Sequence, residues 1–184
     1  VPRSSSTSVT SGRPPRPARP FCEHIDGLRN SGPATDLVPN GTLDLFFDPP
    51  ADGGRARLGV PDDTFLVTFA GTHGIAQALP SAIEAAPLAR DIRFAYVGDG
   101  PIKETVVEAA RQQGAPNISF HPQVPLGDIL PVLWASDALL VTLSAHPTFE
   151  QFVPSKMIDF MAVGRPVILS AAGEAARLLE LSGG

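Results

Sequence analysis

Lys156 occupies a position where lysine is a poor choice unless something negative joins it. It follows Pro154 and Ser155, which read as a helix start, and precedes the apolar run Met157 to Val163 that Gly164 terminates. The first turn of a helix presents free N–H groups and the positive end of the dipole, so a cation there points to a bound anion. Asp159 lies three residues on, on the same helical face, and adds a carboxylate that accepts hydroxyl donors. A cation, free amides and a carboxylate at one spot are the groups a phosphorylated sugar or a nucleotide requires. The competing account is an ordinary i,i+3 pair on a solvated helix, contributing a few tenths of a kcal/mol.

Three loops carry further polar candidates. Gly71-Thr72-His73-Gly74 ends a strand and opens a helix, so its backbone N–H groups can face a pyrophosphate with no side chain in the way. His73 is either a phosphate or sugar contact or partly exposed loop filler. Gly98-Asp99-Gly100 reads more simply as a tight turn than as a site for Asp99. His146 and Glu150 sit in the long stretch between Leu143 and Pro154, where functional residues concentrate, although either is equally at home in solvent.

The elements that must position these residues alternate strand and helix, which argues for βαβ units on a parallel sheet. Strands are expected at Phe65–Ala70, Ile92–Val97, Ile118–Phe120, Ala138–Thr142 and Pro166–Ser170. Helices are expected at Ile75–Ala89, Ile102–Gln113, Gly127–Ser136, Ser155–Val163 and Glu174–Leu181. The fold class is therefore α/β, a Rossmann-like parallel sheet of about five strands with flanking helices. In such a sheet the ligand sits at the carboxyl ends of the strands, so the loops 71–75, 98–101, 121–126 and 143–156 gather at the site. Residues 48–63, rich in Pro and Gly, read as a connector entering the domain.

Before that, residues 1–36 are rich in Ser, Thr, Pro and Arg with almost no periodic apolar signal, and are expected to be disordered or loosely packed. The domain proper spans 37–184. At 43% hydrophobic residues the chain can bury one substantial core. Its net charge of −5 leaves no electrostatic footprint for nucleic acid. The single cysteine, Cys22, forms no intramolecular disulfide and lacks zinc-site company, which fits a reducing cytosol. No apolar run reaches the roughly 18 residues of a membrane span.

Taken in order, Pro39-Asn40-Gly41, Phe69-Ala70-Gly71-Thr72-His73-Gly74-Ile75-Ala76-Gln77, Val97-Gly98-Asp99-Gly100, Ala135-Ser136-Asp137, Val153-Pro154-Ser155-Lys156 and Met161-Ala162-Val163-Gly164-Arg165-Pro166-Val167 form an ordered set. This set resembles the nucleotide-sugar-binding half of a family 4 retaining glycosyltransferase of the GT-B fold, over about four-fifths of the chain. The Gly-Ile-Ala-Gln and Pro-Ser-Lys variants look most like the subgroup that transfers N-acetylated amino sugars, such as N-acetylfucosamine, in bacterial surface-polysaccharide assembly. The resemblance implies donor-binding roles for Gly71, Thr72, His73 and Gly74 in the first loop, Gly98 in the second and Val124 in the third. Around the last loop and helix it implies Glu150, Ser155, Lys156 and Asp159. Asp159 takes the place of the second glutamate of the family's paired motif, which accepts ribose hydroxyls, while Lys156 and the Gly71–Gly74 loop hold the diphosphate.

The same resemblance implies sugar transfer from a nucleoside diphosphate sugar, a UDP-sugar, to an acceptor hydroxyl of a sugar or lipid-linked saccharide, in surface-polysaccharide or glycolipid synthesis. It implies no metal or other cofactor, and no Asp-x-Asp pair occurs. It places the protein in the cytoplasm, peripheral at the inner membrane. The sequence departs from the family at Gln151, where the first glutamate of the pair is expected and Glu150 is one place off, and at His73, which stands where a diphosphate-binding lysine is expected. Catalytic residues and the acceptor site are expected in an amino-terminal GT-B domain, and a remaining strand and closing helices are expected after Gly184. The chain is thus read as a donor-binding fragment, inactive by itself. The alternatives are an enzyme like the sugar-nucleotide 2-epimerases and a non-catalytic nucleotide-binding module.

Overall fold

The computed structural model describes residues 40–51 and 53–183, all within one compact unit, Val38–Gly184. The expectation for residues 1–36 lies outside the described residues. In chain order the elements are α1 (Gly54–Leu58), β1 (Phe65–Ala70), α2 (Leu79–Ala85), β2 (Ile92–Val97), α3 (Lys103–Gln112), β3 (Ile118–His121), α4 (Leu126–Ala135), β4 (Ala138–Thr142), α5 (Ser155–Val163), β5 (Val167–Ser170) and α6 (Glu174–Leu181). Short 3-10 turns stand at Asp44–Phe46, Ile75–Gln77, Ala86–Leu88 and Pro147–Phe149.

The five strands form one parallel sheet in the order β3-β2-β1-β4-β5. Continuous apolar strand sequences fit it because both faces are covered. Every residue of β4 is buried, and β1 is buried from Leu66 to Phe69. Alternate residues feed two cores. Val67 and Phe69 of β1, with Ala138 and Leu140 of β4, pack with Leu79 and Ile83 of α2 and Val106 of α3. Leu139 and Val141 of β4 turn the other way, onto Leu130 and Leu133 of α4 and Met157, Phe160 and Val163 of α5. Burying one such side chain contributes roughly 1.5–3 kcal/mol, so the sheet and its two helical layers hold each other in place.

Two expectations at the level of elements need correction. The helix expected over Ile75–Ala89 is three pieces: the 3-10 turn Ile75–Gln77, α2, and the 3-10 turn Ala86–Leu88. Ala78 between the first two adopts a left-handed φ of +45°. Pro80 fits the first turn of α2, where no N–H is needed, but Pro87 lacks the N–H that would continue the helix. The carbonyls of Ala76 and Gln77 are also drawn away, accepting from Ser144 N–H at 2.8 Å and from the Thr142 hydroxyl. The connector at 48–63 hides α1, whose Gly54 lies so close to α4 that a Cβ would come within 2.0 Å of the Pro131 carbonyl oxygen. Glycine at that helix start is a packing requirement.

Candidate functional site

The strand order reverses between β1 and β4, and at such a point the connecting loops diverge to opposite faces and leave a crevice. A cleft of about 400 Å³ opens there. Ala70, Gly71 and Thr72 from the end of β1 line it, with Val97 and Gly98 from β2, Gln123, Val124 and Leu126 before and within α4, and Ser155, Lys156 and Asp159 on α5. Phe46, Ile129, Leu133 and Phe160 complete its walls. Of the residues marked by sequence, Gly71, Thr72, Gly98, Val124, Ser155, Lys156 and Asp159 therefore meet in one place.

Close backbone contact shapes the floor. Gly71 N–H donates to the Val97 carbonyl at 2.9 Å, and His73 N–H donates to the Asp99 carbonyl at 2.8 Å. A Cβ on Gly98 would sit 2.0 Å from the Gly71 carbonyl oxygen, and the φ of +149° there is one that L side chains rarely adopt. The Lys103 ammonium, in the first turn of α3, donates to the Gly98 carbonyl at 2.7 Å and the His121 carbonyl at 3.3 Å. The first three loops are thus laced edge to edge by hydrogen bonds.

Against this floor lies Lys156. Its Nζ is buried without a hydrogen-bond partner among the described residues, 4.0 Å from the centre of the Phe69 ring and 2.7 Å from where a Gly71 Cβ would project. Burial pulls its pKa down from 10.5 to about 8. The ring offsets part of the desolvation cost, but a buried ammonium that donates no hydrogen bond is an unmet demand for an anion. Asp159 does not meet it. The Asp159 Oδ1 accepts a hydrogen bond from the Thr42 hydroxyl at 2.6 Å, so Lys156 and Asp159 are not the simple surface pair that their spacing allows. The α5 amino terminus has no side-chain cap, which leaves its first N–H groups to the cleft.

The structure does not bring His73, Gly74 or Glu150 to the cleft lining. His73 is fully buried rather than a half-exposed loop residue, its ring packed 5.7 Å from Phe69 and 6.5 Å from Phe120 between centroids. Burial first, then the Lys103 charge, lowers its pKa, so the ring is neutral at pH 7. What His73 contributes is its backbone: its N–H holds Asp99, and its carbonyl accepts from Ile102 N–H at 3.1 Å. The exposed Glu150 meets α6 through its carbonyl, which accepts from Glu174 N–H at 2.7 Å. Sequence reasoning missed Phe46, Gln123 and Leu126 in the lining and Thr42 behind it. The Asn40-Gly41 turn was the only local signal near Thr42, and it says nothing of a partner 117 residues away.

Comparison with known proteins agrees with this geometry. Over 126 residues, 67% of this chain, it is 31% identical to the protein of Escherichia coli (strain K12) named "Putative colanic acid biosynthesis glycosyl transferase WcaI". The match takes in 31% of that protein, so the chain spans about a third of its relative's length. Among solved structures, sucrose-phosphate synthase of Thermosynechococcus elongatus superposes with a TM-score of 0.66 at 24% identity, covering 85% of this chain and 40% of that one. Anabaena HepE, solved in complex with UDP and glucose, superposes with a TM-score of 0.61 at 21% identity, covering 79% and 40%. These likenesses establish the fold as the Rossmann-like domain of GT-B glycosyltransferases. The family model for glycosyl transferases group 1 matches residues 64–183, from the start of β1 through α6 and across all the cleft-lining residues but Phe46, and the chain belongs to that family.

Proposed function

We propose that this chain is the donor-binding half of a retaining glycosyltransferase, which takes a nucleoside diphosphate sugar and transfers its sugar to an acceptor hydroxyl in surface-polysaccharide or glycolipid synthesis. The observation that carries this reading is the buried Lys156 ammonium, without a partner among the described residues and set against the Gly71 backbone at the floor of the cleft. A diphosphate seated there receives charged hydrogen bonds from Lys156 and from the first N–H groups of α5. The ribose lies one helical turn along, within reach of Asp159, and the base lies toward the apolar wall of Val97, Val124 and Leu126.

In the transfer step the bond between the anomeric carbon and the diphosphate oxygen breaks as the acceptor oxygen bonds to that carbon, and the acceptor proton leaves with the departing phosphate. Lys156 and the helix terminus stabilise the charge that builds on the diphosphate, which is the task a divalent cation performs elsewhere, so transfer proceeds without a metal. UDP is the expected nucleotide. An N-acetylated amino sugar is the proposed donor group, supported by the Gly74-Ile75-Ala76-Gln77 and Pro154-Ser155-Lys156 runs. The acceptor is a sugar or lipid-linked saccharide met on the cytoplasmic face of the inner membrane, and acceptor binding falls to a second GT-B domain. No helix among the described residues is long and apolar enough to cross a membrane. Membership of a transferase family favours transfer over epimerisation.

Calorimetry with UDP tests the reading. Binding is expected without added metal, and Lys156→Met is expected to weaken it by about 1–3 kcal/mol, the range for hydrogen bonds to charged groups. Equal affinity in the two proteins rejects the phosphate role.

A further inference from the structure

We infer that Thr42 is a positioning residue for nucleotide recognition, acting through Asp159; this rests on the donor-site reading above. The Thr42 hydroxyl donates to Asp159 Oδ1 at 2.6 Å, a short charge-assisted bond across 117 residues of sequence. Thr42 is not part of the cleft lining, whereas Asp159 is, so the hydroxyl holds the carboxylate from behind. The carboxylate belongs to the fifth residue of α5 and leans toward the helix amino terminus, where Ser155 and Lys156 also face the cleft.

An aspartate on a helix rotates about two side-chain bonds, and its terminal torsion is soft. Bound by Thr42 through one oxygen, it presents the other in a fixed direction to the cleft, so the orientation is set before the ligand arrives. The segment bearing Thr42 is itself fixed, because the 3-10 turn Asp44–Phe46 that follows buries Phe46 in the same core as Met157 and Phe160 of α5. The hydroxyl and its target therefore sit on two elements packed together. The consequence is a role in specificity: the Thr42 contact makes Asp159 a selective acceptor for ribose hydroxyls.

The test compares UDP with 2′-deoxyuridine 5′-diphosphate by calorimetry on the intact chain. Wild type is expected to prefer the ribonucleotide. Thr42→Val, which keeps the shape and removes the hydroxyl, is expected to lose about tenfold in UDP affinity and most of the preference, and Thr42→Ser is expected to restore both. Thr42→Val is expected to cost nothing further in an Asp159→Asn background. Unligated melting temperatures within about 2 °C of wild type exclude a folding defect as the cause. If Asp159→Asn abolishes the preference while Thr42→Val keeps it, the inference about Thr42 is wrong and the donor site stands. An equal loss from Thr42→Val in both backgrounds also overturns it, because Thr42 then acts elsewhere. Absence of any UDP binding in wild type removes the donor-site reading and this inference together.

Discussion

Replacing Lys156 with methionine should make the unligated protein more stable while weakening its affinity for nucleotide. The ammonium is buried, unpartnered and held at a pKa of about 8 against an ordinary 10.5. At 1.36 kcal/mol per pH unit, that gap corresponds to a cost of roughly 3 kcal/mol for keeping the charge in the folded protein at pH 7. Losing the contact with the Phe69 ring returns about 1 kcal/mol, so the net gain for Lys156→Met is about 2 kcal/mol. The pH dependence has a definite sign. Between about pH 8 and 10.5 the unfolded chain retains a proton on Lys156 that the folded chain has released, so wild-type stability rises with pH across that window. The methionine variant lacks this rise, so its advantage of about 2 kcal/mol shrinks above pH 8 and is lost before pH 10.5 is reached. Urea unfolding at pH 7 and pH 10, followed by fluorescence of the single tryptophan, Trp134, measures both quantities. UDP at a hundred times its Kd should then stabilise wild type by about 2.7 kcal/mol and the variant far less. A variant less stable than wild type at pH 7 would show that the ammonium is already satisfied in the empty cleft, and the argument for an anion site would fall.

Two further substitutions probe the scaffold. His73→Leu removes a buried ring whose two nitrogens have no hydrogen-bond partner, and should stabilise the fold by about 1 kcal/mol at pH 7 in thermal or urea unfolding. Because the folded pKa of His73 lies below 6.5, the unfolded chain protonates first on acidification, so wild type loses stability as pH falls through 6.5. The variant should lose less, with a residual slope from His121, whose pKa burial also lowers; an unchanged slope would refute the assignment. Gly98→Ala forces a Cβ against the Gly71 carbonyl at a φ of +149°, and should cost about 1–3 kcal/mol in unfolding free energy and weaken UDP binding, whereas normal stability and affinity would mean that the two loops part freely.

Much of this protein was legible along the chain because its signals are local. Phe65–Ala70 and Ala138–Thr142 announce buried strands by being apolar at every position but one, and the structure places them side by side in the middle of the sheet. The glycine loops and the lysine in a helix's first turn mark an anion site because their oddness is visible within a few residues. Alternation of strand and helix then dictates that those loops share one edge, which is why seven of the marked residues meet in the cleft. Where a competing local signal was strong, the reading failed: Pro87 and the left-handed Ala78 break a stretch whose apolar spacing reads as one helix.

What the chain order could not reveal is which polar group meets which. Spacing alone leaves Lys156 and Asp159 as possible partners, and only packing decides that one is buried on Phe69 with nothing to bind while the other is held by Thr42. Spacing likewise offers His73 to the ligand, and packing turns it into the aromatic core while using its backbone to lace two loops. The physical reason is common to both. A side chain's charge state and partners follow from desolvation and from the groups packed around it, and the decisive ones, Thr42 for Asp159, Phe69 for Lys156 and Phe120 for His73, lie tens to more than a hundred residues away, beyond the range of any periodicity.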